Sequence, residues 1–96
     1  MKDYIRAQIE RRWNFDLAAL GPKKVSVPIH VEITKAGVVR KAEVVDTTSA
    51  DDPLYREVAL SARNAVLLSS PISLPPGDYQ DVMDMVLYLN PRDALR

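Results

Sequence analysis

Nine residues, Val25 to Ile33, alternate without a break: Val25, Val27, Ile29, Val31 and Ile33 hold one parity, and Ser26, Pro28, His30 and Glu32 the other. Successive side chains of an extended chain point to opposite faces, so this period puts five β-branched groups on one side of a strand. Wound as a helix, the same residues would scatter around the whole circumference. The segment therefore predicts a half-buried strand, and the rest of the chain has to cover its apolar face.

Thr34-Lys35-Ala36-Gly37 follows as a short turn, with glycine available for positive φ, and Val38 to Asp46 reads as the returning strand of a β-hairpin. The phase of this second strand stays open, because Val38-Val39 and Val44-Val45 each put apolar groups on both faces. Before the hairpin, Tyr4, Ile5, Ile9 and Trp13 fall at helical spacing, which predicts an amphipathic helix over Asp3 to Trp13 with Asp3 as its N-cap. Asn14-Phe15-Asp16 and Gly21-Pro22 punctuate the way out.

After the polar stretch 46–52, Asp52-Pro53 offers a capping carboxylate followed by proline at the first helical position. The stripe Tyr55, Val58, Ala59, Ala62, Ala65 and Val66 then predicts a second helix, whose alanines permit close approach to a sheet. Pro71, Pro75, Pro76 and Gly77 lead to a last strand over 81–89. Met83, Met85, Leu87 and Leu89 are expected to face the core, with Val82, Asp84, Val86 and Tyr88 outward.

A helix between the second and third strands returns the chain to the same end of the sheet, so in an all-antiparallel sheet strand three must lie beside strand one. The expected fold is α+β and two-layered: topology α-β-β-α-β, a three-stranded antiparallel sheet of order 2-1-3, helices on one face. At 96 residues this is a single domain over 1–96, able to bury roughly 60–65% of its unfolded surface. Pro28 falls inside the central strand, where the loss of a ladder donor predicts a bulge or an unpaired stretch.

Composition narrows the chemistry. Thirteen basic residues balance thirteen acidic ones, leaving no global field for nucleic acid or an anionic membrane. Residues 1–24 carry six basic and three acidic side chains, which a solvated helix face explains as well as a docking surface does. Cysteine is absent, so thiol nucleophiles and thiolate metal sites are excluded. No apolar run approaches the ~20 residues that span a bilayer.

Catalytic constellations are equally sparse. His30 is the sole histidine and stands on the polar parity of its strand, without the convergent ligands a metal needs. Ser61, Ser69 and Ser70 have no recognisable base beside them. The carboxylate pairs Asp51/Asp52 and Asp81/Asp84 are better explained by helix capping and by protection of an edge strand than by acid–base work. Three glycines, none in a phosphate-cradling pattern, remove a nucleotide loop. The reading is a protein without catalytic residues, cofactor or metal.

As a whole the chain resembles the TolA/TonB C-terminal domain family, closer to its TolA branch. The resemblance rests on Tyr4-x3-Gln8-Ile9-x3-Trp13, the alternating run 25–33, Ala-Gly-Val-Val at 36–39, Asp-Pro-Leu-Tyr-Arg at 52–56, Ser-Ala-Arg-Asn-Ala-Val at 61–66, Leu-Pro-Pro-Gly-Asp-Tyr at 74–79, and the strand-then-proline ending at 85–92. Thr47-Thr48-Ser49-Ala50 stands where many members carry Ser-Gly, and the disulfide of some TolA domains cannot form.

The resemblance implies a periplasmic interaction module, tethered to the inner membrane by an N-terminal anchor and stalk outside this sequence. Its partners would be TolB-like or Pal-like proteins of a Tol–Pal system, with colicins and filamentous phages as borrowers of the same surface. A TonB-like domain gripping transporter peptides is the alternative within the family, and a self-associating structural domain the alternative outside it. The mechanism expected is strand addition at a sheet edge, with Val82, Asp84, Val86 and Tyr88 of strand three as the docking residues and an interface below ~1,200 Å².

Overall fold

The computed structural model describes residues 2–13, 25–45 and 52–91. Two helices and three strands follow one another as α1 (Lys2–Arg12), β1 (Val27–Thr34), β2 (Val39–Val44), α2 (Pro53–Leu68) and β3 (Val82–Leu89). The strands form one antiparallel sheet in the order β2-β1-β3, the two-layer α+β arrangement expected from the chain order. Asn14-Phe15-Asp16, Gly21-Pro22, the carboxylate of Asp51 and most of the 46–52 stretch lie outside the described residues.

The alternation of β1 is realised as burial. Val27, Ile29, Val31 and Ile33 are fully buried beneath the helices, and Val25, just ahead of the strand, packs on their cluster. From β3, Leu87 and Leu89 complete this face; Met85 is half-buried against it and Met83 is half-buried at its margin. All six members of the α2 stripe are buried, and the small side chains at 59, 62 and 65 bring the helix down on β1 and β2. From α1, Ile5 and Ile9 reach the core, and Trp13, one turn on, continues their line just past the helix end.

Two local expectations are corrected and a third is met on one side of its strand. Tyr4 lies one position off the Ile5–Ile9–Trp13 line and is exposed. Asp3 is not the N-cap: the helix already includes Lys2, and Asp3 sits in the first turn, paired with Arg6 at 2.8 Å. Pro28 is unpaired on one side only: the β1–β2 register stops at Ile29↔Val44, while towards β3 it pairs with Tyr88 inside a continuous register running from Val27↔Leu89 to Thr34↔Val82.

The reason is direction. Pro28 turns its main chain towards β2, where its carbonyl accepts from Val45 N at 3.0 Å. The donor that proline lacks therefore faces the end of β2, and the ladder with β3 loses nothing.

The irregularity sits elsewhere. Glu32 opposes Lys41 but Ile33 opposes Val39, leaving Arg40 as an extra residue on β2. A bulge of one residue lets Val39, Ala42 and Val44 all face the core although their spacing fits no single period, and it leaves Val38 and Val45 exposed. This resolves the phase of the second strand.

At the hairpin, Gly37 has φ +88°, and a Cβ there would stand 1.9 Å from the carbonyl oxygen of Ile72. The close approach is bonded, since Ile72 N donates to Gly37 O at 2.7 Å. Gly37→Ala is expected to lower stability by about 1–3 kcal/mol from backbone strain alone, with the collision in addition. A urea-unfolding midpoint unchanged from the parent would contradict this account of the turn.

Candidate partner-docking edge

In an antiparallel pair, the peptide groups of successive residues point alternately towards and away from the neighbouring strand. Lys35 N donates to Asp81 O at 3.1 Å, which fixes the phase of the β1–β3 ladder. With the register continuous, residues 83, 85, 87 and 89 spend their N–H and C=O groups on β1. Those of Val82, Asp84, Val86 and Tyr88 consequently point out of the sheet. Among the described residues, no backbone hydrogen bond reaches them from this chain.

The outer border of β2 is different. Val39 N donates to the Ser70 hydroxyl at 3.0 Å, Ala42 O accepts from Arg63 Nε at 3.0 Å, and Ile72 N closes on Gly37 O at the start of the strand. Helix α2 and the segment after it thus occupy part of the row that an added strand would need. Of the two borders, the one along β3 is the more open.

The same four residues put their side chains on the sheet face away from the helices, because their odd-numbered neighbours face the core. Tyr88 is 60% exposed, Asp84 is exposed, and Val82 and Val86 are half-buried. Opposite them on β1 stand Pro28, His30, Glu32 and Thr34. His30 Nε2 lies 3.0 Å from Asp84 Oδ1, and Lys35 pairs with Asp81 at 3.3 Å at the strand's start.

The other candidate groups are placed as follows. Asp52 caps α2 by accepting from Leu54 N at 3.0 Å. Asp81 and Asp84 take separate partners, and so do not form a carboxylate dyad. Ser61 accepts from the indole N–H of Trp13 at 2.8 Å, tying α1 to α2, and Ser69 donates to Ala65 O at the end of α2. Among the described residues no group of three metal-ligating side chains converges, and no helix is long and apolar enough to cross a membrane.

One surface was not legible in the sequence. Leu60 and Leu68 of α2 are 58% and 70% exposed and, with Trp13 and Ala65, line a groove of about 340 Å³ between the two helices. Asn64 stands between them at helical spacing, so no continuous apolar stripe marks this face in the sequence. Gln8 braces the far side of α1, its amide exchanging two hydrogen bonds with Ser73 at 2.6 and 2.9 Å.

Comparison with family models, with curated proteins and with solved structures returns no match. The reading of the edge stands on its geometry.

Ser70→Ala would leave the Val39 N–H without its acceptor in a half-buried site, at a cost of about 1–3 kcal/mol. Hydrogen exchange should show Val39 losing protection while Val86, already facing outward, keeps its fast rate. Equal protection of Val39 in parent and variant would remove Ser70 as a cap of the β2 border.

Proposed function

We propose that this domain is a TolA-type, non-enzymatic partner-binding module that accepts an extended segment of another protein as a fourth strand beside β3. The observation that supports it is the unequal treatment of the two borders. Ser70 and Arg63 occupy two of the outward groups of β2, and Ile72 one just before it, whereas Val82, Asp84, Val86 and Tyr88 offer an alternating row of donors and acceptors along β3. Main-chain bonds would give an added strand most of its affinity, and the side chains flanking the border would set its preference.

The assignment to a Tol–Pal system, in the periplasm and carried on an inner-membrane anchor, rests on the sequence resemblance. TolB-like and Pal-like proteins are accordingly the first partners to try, and a transporter-derived peptide is the comparison that separates a TonB-type role. Such a contact is small and transient, below ~1,200 Å² of buried surface.

Two proline substitutions test strand addition directly. In Val86→Pro the deleted N–H points to the open border, so the sheet keeps its own bonds while an added strand loses one and meets the ring. Binding of a partner should weaken roughly tenfold or more with the fold intact. In Met85→Pro the deleted donor belongs to the β1–β3 ladder, and stability should fall by about 3 kcal/mol or more. Circular dichroism and titration of the labelled domain read both effects. A Val86→Pro domain that stays folded and binds like the parent would sink strand addition at β3.

A further inference from the structure

Glu32 of β1 and Asp84 of β3 are direct cross-strand partners. Their peptide groups point away from each other, which makes them the closer kind of antiparallel pair, with Cα atoms roughly 4.5 Å apart. Like charges directly opposite repel. His30 meets one oxygen of Asp84, leaving most of that carboxylate in solvent, with the side chain 62% exposed. Lys41 stands opposite Glu32 on its β2 side but turns its ammonium to Glu43 at 3.5 Å, and Lys35 is held by Asp81. Among the described residues, Glu32 has no ion-pair partner. The middle of the open border therefore carries two adjacent carboxylates whose repulsion an incoming cation would relieve.

The surroundings of Asp84 on the same face are apolar: Val82 and Val86 two residues to either side, then Tyr88. On the helix side of the border lie Met83 and Met85, half-buried and unbranched, able to repack against whatever side chain arrives. We infer that the segment docking on β3 carries a lysine or arginine opposite Asp84, flanked at two residues on either side by apolar groups that lie over Val82 and Val86.

This inference rests on the strand-addition reading and adds the chemistry of the occupant. Basic and aliphatic side chains on one parity place the cation against Asp84 and within reach of Glu32, while the other parity of the same segment meets the two methionines. An acidic residue at that position would make a third carboxylate in the row.

The test is selection of a library of nine-residue peptides, randomised at every position, against the intact domain and against Asp84→Asn. Binders are then mapped by amide shifts on the labelled protein. The parent should select peptides whose shifts centre on 82–88 and which are enriched in Lys or Arg at a single position. Replacing that residue by Gln should weaken binding up to about fivefold, the size of a good cross-strand ion pair. On Asp84→Asn the enrichment should disappear while binders are still recovered. Binders that map to β3 without basic enrichment, or whose enrichment survives Asp84→Asn, overturn the cation inference and leave strand addition standing. Binders that map to the Leu60/Leu68 groove or to β2, or a selection that yields none, overturn both.

Discussion

Everything about the two borders follows from the way β1 divides its hydrogen bonds. Buried on one face and flanked on both sides, it turns residues 28, 30, 32 and 34 to β2 and residues 27, 29, 31 and 33 to β3. One bond at each end fixes this phase: Lys35 to Asp81 on one side, Val45 to Pro28 on the other. Once it is fixed, the parity that looks outward along β3 cannot be chosen independently. The side chains of that parity and its free peptide groups belong to the same four residues, so the border and the solvent-facing surface beside it are read by a visiting strand together.

The borders differ because the helices sit unequally over the sheet. Alanines at 59, 62 and 65 let α2 settle on β1 and β2, close enough for Arg63 to reach Ala42 O and for the helix end to present Ser70 to Val39. Helix α1 covers β3 and turns Ile5 and Ile9 inward, side chains with no donor or acceptor to give a strand. Its polar reach goes instead to the segment after α2, through Gln8 and Ser73. One helix caps its strand and the other only roofs it.

The elements and their order were legible because each rests on a period: two in 25–33 and 81–89, near 3.6 in 5–13 and 55–66. The order 2-1-3 needed only the added rule that a helical crossover reverses no direction. What escaped has no period. A one-residue bulge at Arg40 leaves nothing in the sequence except apolar positions 39, 42 and 44 that fit neither template. The capping of β2 depends on tertiary bonds from Arg63 of α2 and from Ser70 just past its end, each unremarkable in its own segment. Pro28 was legible in part, because the sequence shows that a donor is missing but not that it would have pointed to β2 and left the β3 side intact. The outward parity of β3 was readable from Val82, Val86 and Tyr88; the difference between the two borders was not.

An edge strand that stays open has to be protected from pairing at random, and β3 carries one charged residue, Asp84, in an otherwise apolar and aromatic run. A lone carboxylate near the middle of such a border repels any strand that brings acid to that point, including a second β3 aligned antiparallel about Asp84. The closeness of Glu32 strengthens the repulsion and narrows what is admitted. A lysine there would also keep a charge on the border, but it would give up the carboxylate oxygen that lies 3.0 Å from His30 Nε2. An acid at 84 thus serves two ends at once: it holds His30 across the strand, and under the strand-addition proposal it sets the charge that an added strand must meet.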